Sequence, residues 1–124
     1  MAKRIDQFLA KLRSYTQTFP EAYEEIAWEK DRLAKVNKKA FVFMGTEADP
    51  KTGFAFSVKL PQSHKQALEY PFAEPTGYGL GKAGWVTIRI APGDLPPFEL
   101  LMPWVEESYR AVAPKKLVAK LDER

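Results

Sequence analysis

Phe54-Ala55-Phe56-Ser57-Val58-Lys59-Leu60 and Trp85-Val86-Thr87-Ile88-Arg89-Ile90 are the two stretches whose reading decides the fold. In the first, Phe54, Phe56, Val58 and Leu60 alternate with Ala55, Ser57 and Lys59. In the second, Val86, Ile88 and Ile90 alternate with Trp85, Thr87 and Arg89. Side chains of a strand point alternately to opposite faces, so each stretch predicts a half-buried strand with one face on a core.

Upstream, Ile26 and Trp28, Leu33 to Val36, and Ala40 to Met44 read as short antiparallel strands. A hairpin falls at 37–39, where Asn37 tolerates positive φ. The polar run 45–53 predicts a solvated hairpin tip between the strands at 41–44 and 54–60. Residues 61–84 hold Pro61, Pro71, Pro75 and several glycines, and predict an irregular excursion with one short helix around 63–68.

Helical periodicity marks the two ends. Ile5, Phe8, Leu9, Leu12 and Tyr15 line one face of a helix over 3–17, with Lys3, Lys11 and Arg13 on the other, and Phe19-Pro20 ends it. Phe98, Leu101, Met102, Val105, Tyr109 and Val112 form a second stripe. Pro103 interrupts it, which predicts either a kink or a short turn at 97–101 followed by a helix beginning at Pro103. Pro114 suits the first position of a last helix that buries Leu117, Val118 and Leu121. Strands flanked by terminal helices, without strand-helix alternation, predict an α+β fold with an antiparallel sheet.

At 124 residues the chain predicts one domain. It has no cysteine, hence no disulfide framework, thiolate cage or cysteine nucleophile, and its single histidine, His64, cannot by itself build a zinc site. No cofactor is implied. The basic N-terminal segment is broken by Asp6, Lys11 and Arg13 before an apolar core forms, so it reads as a helix of the mature protein rather than a signal peptide. No stretch free of formal charge exceeds seven residues, which excludes a membrane-spanning helix and makes the cytoplasm the expected location.

Gly79-Leu80-Gly81-Lys82-Ala83-Gly84-Trp85-Val86 matches a glycine-rich phosphate loop in letters. A dinucleotide-binding loop needs a helix after it, and a strand follows here; a kinase loop needs partner motifs that the chain lacks. His64 has no second histidine or acid near it in sequence to orient it as a base. Glu106 and Glu107, adjacent on a helix, point about 100° apart and make no carboxylate dyad. No nucleophile-base pair emerges, and the expectation is a protein without catalytic activity.

The net charge is +3. Residues 1–40 carry 9 basic and 6 acidic side chains, residues 41–84 carry 4 and 4, and residues 85–124 carry 6 and 6, so the whole excess lies in the first third. Lys35, Lys38 and Lys39 cluster at the predicted hairpin. Lys59, Lys82 and Arg89 lie on or beside the strand faces turned away from the core, with Trp85 among them. A cationic sheet face with an aromatic platform suits phosphate and bases. Glu47 and Asp49 in the hairpin tip oppose that reading. The alternative is a protein-interaction or small-ligand module using a pocket near residues 70–85, lined by Tyr70, Phe72, Tyr78 and Trp85.

Several of these segments together resemble the MmcQ/YjbR-like family over nearly the whole chain. They are Phe19-Pro20, Lys39-Ala40-Phe41 with its strand, and Leu80-Gly81-Lys82-Ala83-Gly84-Trp85-Val86-Thr87-Ile88. They continue with Trp104-Val105-Glu106-Glu107-Ser108-Tyr109-Arg110 and Val112-Ala113-Pro114-Lys115-Lys116-Leu117. The resemblance implies a CyaY-like α+β fold, an antiparallel sheet covered by terminal helices, and a proposed DNA-binding role through a double wing of hairpins. Where some members carry Asn before the lysine and His before the tryptophan, this chain has Gly81 and Gly84, so only Lys82 and Trp85 carry over residue by residue. The combined expectation is a monomer that binds DNA weakly and salt-sensitively through Lys35, Lys38, Lys39, Lys59, Lys82, Trp85 and Arg89.

Overall fold

The helical stripe Ile5, Phe8, Leu9 and Leu12 is the buried face of α1 (Ala2–Thr16) in the computed structural model, which describes residues 2–27, 31–45, 51–77 and 80–123. The helix closes as Thr16 and Thr18 donate their hydroxyls to the carbonyls of Arg13 and Tyr15. Phe19 then turns into the core and stacks on Tyr109, with ring centres 4.8 Å apart.

Six strands follow: β1 (Tyr23–Ala27), β2 (Asp31–Val36), β3 (Lys39–Gly45), β4 (Phe54–Lys59), β5 (Ala73–Pro75) and β6 (Trp85–Ile90). They form one sheet in the order β1-β2-β3-β4-β6-β5, with every neighbouring pair antiparallel. A short helix α2 (His64–Ala67) and a 3-10 turn (Leu80–Ala83) lie between β4 and β6; α3 (Phe98–Val112) and α4 (Lys115–Asp122) close the chain. The α+β architecture follows the sequence-based expectation.

α1, α3 and α4 cover one face of the sheet. Ile5, Phe8 and Leu12 from α1, Leu101, Val105 and Tyr109 from α3, and Leu117 and Leu121 from α4 join Val42, Phe56, Val58, Val86, Ile88 and Ile90 in one apolar core. Burying a large apolar side chain is worth about 1.5–3 kcal/mol, so this layer drives folding. The opposite face carries Leu33, Lys35, Phe43, Ala55, Ser57, Lys59, Trp85, Thr87 and Arg89, the residues that alternate with the core set or face them across the ladders.

Asn37 and Lys38 form the two-residue loop of the β2–β3 hairpin, with φ of 52° and 67° and Val36 opposite Lys39. Paired positive φ values define a type I′ turn, whose twist matches that of the flanking strands. Just beyond it the ladder skips a residue. Lys35 faces Ala40 and Ala34 faces Val42, so Phe41 is the extra residue of a bulge. The β3–β4 ladder has only the pairs Val42–Val58 and Phe43–Ser57 among the described residues. Where it stops, the buried Ser108 hydroxyl of α3 donates to the Phe41 carbonyl and accepts the Lys59 amide N–H at 2.8 Å.

One expectation changes and one of two alternatives drops out. The excursion 61–84 contains β5, a three-residue edge strand on β6 that ends on Pro75 and carries too few residues to show alternation. Pro103 lies inside one continuous helix beginning at Phe98 rather than starting a helix of its own. It stands on the exposed side in the second turn, where the missing N–H removes a single bond to the carbonyl of Glu99. Trp28 and positions 46–50 of the expected hairpin tip, including Glu47 and Asp49, lie outside the described residues. Gly53, just past them, has φ of 84°, and a side chain there would meet the Ile90 carbonyl oxygen at 1.8 Å.

Candidate functional site

Antiparallel pairing puts the end of β2, the start of β3, the end of β4 and the start of β6 at the same end of the sheet. Lys35, Lys39 and Lys59 come to that end on these strands, Lys38 on the β2–β3 loop, and Lys82 on the turn that leads into β6. Adjacent strands lie about 4.8 Å apart, so β2 to β6 spans about 14 Å. Three chain segments, the hairpin at 35–39, the end of β4 and the turn before β6, thus deliver five lysines to one end of the sheet.

The five differ in their partners. Lys35 gives its ammonium to Glu25 at 2.6 Å, and this hydrogen bond raises the Lys35 pKa. Lys38, Lys39, Lys59 and Lys82 have no carboxylate partner among the described residues. Lys38, Lys39 and Lys82 are exposed, and Lys59 is partly covered.

Arg89 does not join them. It faces Ala55 near the other end of β6, four residues or about 13 Å from Trp85, and its guanidinium is bound to Glu74 of β5 at 2.5 Å. Trp85 stands opposite Lys59 in the patch, yet it is only 9% exposed and offers no open stacking platform. Its ring meets that of Phe43 at 5.1 Å and 62°. Ser57, opposite Phe43 on the strand between them, is small enough to let the two rings close over it.

The four aromatic rings expected to line a pocket near 70–85 are not brought together. Tyr70 and Phe72 stack at 5.1 Å and lean on Trp104 of α3, on the helical side of the sheet. Trp85 projects from the opposite face, and Tyr78 lies outside the described residues. Closeness in sequence does not join these rings, because Tyr70 and Phe72 lie in the turn before β5 on the helical side while Trp85 takes a β6 position that alternates with the core set.

Among the described residues of the glycine-rich turn, three backbone amides are already engaged. The amides of Leu80, Gly81 and Gly84 are spent on the carbonyls of Gly77, Thr76 and Gly81. His64 starts α2 with its Nδ1 2.9 Å from the Leu60 carbonyl oxygen. Glu106 pairs with Arg110, while Glu107 accepts the amide N–H groups of Gln62 and Ser63 and the Ser63 hydroxyl. Tyr109 donates its hydroxyl to the Pro20 carbonyl at 2.6 Å. The run Glu107-Ser108-Tyr109 therefore fastens three distant segments to α3. Lys11, placed by periodicity on the water side of α1, lies over the Phe98 ring at 4.8 Å, a contact invisible in sequence because its partner is far away along the chain.

A family model described as YjbR matches residues 17–111. Among solved structures, the chain is similar to Deinococcus radiodurans protein DR2400, described as a DUF419 domain. The identity is 24% and the TM-score 0.69, covering 92% of this chain and 87% of that one, a likeness in fold. No curated protein matches the chain. Among the described residues, no helix is long and apolar enough to cross a membrane.

Proposed function

The chain belongs to the YjbR family, and from that premise and the lysine-bearing end of its sheet we propose that it is a non-enzymatic cytoplasmic protein that binds DNA. Binding is weak, salt-sensitive and directed at the phosphate backbone. One observation carries the reading: four lysines without a carboxylate partner among the described residues come to one end of the sheet from three segments. With Trp85 covered by Phe43, that surface offers charge rather than base stacking, which suits contact with phosphates in preference to sequence readout. The protein acts as a monomer in this reading.

Fluorescence anisotropy with a short labelled duplex tests it. Four phosphate contacts give log K against log salt a slope of about −3.6. Lys38→Glu with Lys82→Glu is expected to abolish binding at low salt. Absence of binding at tens of micromolar protein, well inside the usual range of about 10⁻⁴ to 10⁻⁶ M for non-specific complexes, or an affinity indifferent to salt, overturns the proposal.

A further inference from the structure

α3 runs along the sheet toward its lysine-bearing end. Phe98, its first residue, meets Phe8 at 5.5 Å, and the Phe8 ring lies 6.2 Å from that of Phe54, the first residue of β4. Further along the helix, Ser108 accepts the amide N–H of Lys59, the last residue of β4. Ser108 stands about one turn before Val112, where α3 ends. Ala113 and Pro114 turn the chain beyond it, and α4 opens with Lys115 and Lys116. α2 reaches the same corner from β4. Glu107 of α3 accepts the amides of Gln62 and Ser63 just ahead of α2, whose second residue is Lys65.

Three more lysines thus stand on the helical side of the end that Lys38, Lys39, Lys59 and Lys82 occupy. All three are exposed, and none forms an ion pair among the described residues. Acids close to them in the fold have other partners. Arg110 holds Glu106 and Asp122, Lys120 lies 3.7 Å from Glu21, and Glu107 is taken up by Gln62 and Ser63. Lys115 and Lys116 also stand in the first turn of α4, with no acid in that turn, where the positive end of the helix dipole disfavours cations. A local preference broken on the surface without a compensating contact points to a role outside the fold.

We infer that the DNA-binding surface continues around this end onto the helices, with Lys65, Lys115 and Lys116 as further phosphate contacts. The inference rests on the DNA reading above and enlarges its interface to seven lysines without a carboxylate partner, from five segments. A duplex carries phosphate on all sides, at about one charge per 1.7 Å of axis, so both sides of the corner meet it.

Fluorescence anisotropy over a range of salt tests the extension. The four sheet-end lysines alone give a slope of about −3.6, whereas seven contacts give about −6.3. Lys115→Gln with Lys116→Gln is expected to make the slope shallower by about 1.8, and Lys65→Gln by about 0.9. Lys11→Gln, beside Phe98 at the opposite end of α3, is expected to leave it unchanged. The double variant is expected to melt no earlier than the parent, since it relieves the opposition to the α4 dipole. A parent slope of about −3.6 that neither the double variant nor Lys65→Gln alters overturns the inference and leaves the DNA reading standing. An equal loss with Lys11→Gln also overturns it, because contact is then spread over the whole surface. No binding by the parent overturns both. Should the double variant melt early, Lys65→Gln, on a different helix, decides.

Discussion

Ser108 and Phe41 are joined by a buried hydrogen bond, hydroxyl to carbonyl, that puts a helix side chain into the gap where the β3–β4 ladder ends. The same oxygen accepts the Lys59 N–H. Ser108→Ala leaves a buried carbonyl and a covered amide unmatched, a cost of about 1–3 kcal/mol. Urea unfolding is expected to show a lower midpoint with an unchanged slope. A midpoint equal to that of the parent would mean that water replaces the hydroxyl without loss.

Lys38 occupies a left-handed conformation, φ 67°, that costs a non-glycine residue about 1–2 kcal/mol. Lys38→Gly converts the turn to Asn-Gly, the preferred type I′ pair, and is expected to raise stability by about 1 kcal/mol, less the extra entropy of an unfolded glycine. The same change removes a phosphate contact and makes the salt slope of DNA binding shallower by about one. Calorimetry and anisotropy on a single variant thus move in opposite directions.

Arg13 donates two hydrogen bonds to Glu24, at 2.9 and 3.0 Å, and holds that carboxyl below its ordinary value of 4.5, against the opposing effect of partial burial. A depressed folded value means that the pair's contribution is fully present above about pH 4.5 and disappears as the pH falls through the folded value. Exposure of both partners limits it to about 0.5–1 kcal/mol. Glu24→Gln is expected to melt earlier than the parent at pH 7, with the gap closing toward pH 3. A gap that stays constant with pH assigns the effect to packing.

Glu25 holds Lys35, and Glu74 holds Arg89. Glu25→Gln frees Lys35 inside the patch and is expected to steepen the salt slope of DNA binding by about one. Arg89→Ala, outside the patch, is expected to leave both slope and affinity unchanged. If Arg89→Ala weakens binding as much as Lys59→Ala does, the interface lies along β6 and not at the end of the sheet.

Much of the architecture was legible in local pattern. The stripe of α1, the alternation of β4 and β6 and the Asn37 turn each follow from near neighbours in the chain. β5 was not legible, because three residues that end on Pro75 carry no period and pair only through β6. The sequence left open whether α3 passes through Pro103 or restarts there; the packing of Leu101 and Val105 on both sides of the proline outweighs one lost bond and carries the helix through. The lysine patch was partly legible. Alternation put Lys59 and Arg89 on the same face, but only the register separates them along it and ties Arg89 to Glu74. Alternation also turned Trp85 away from the core without revealing that Phe43 waits there to cover it.

The bonds made by Glu107, Ser108 and Tyr109 reach back 45, 67 and 89 residues, to Gln62, Phe41 and Pro20. Each closes a loop whose entropy must be spent before the contact repays it. During synthesis every strand leaves the ribosome before these three residues do. The Phe41 carbonyl and the Lys59 amide therefore meet their Ser108 partner only once α3 has emerged.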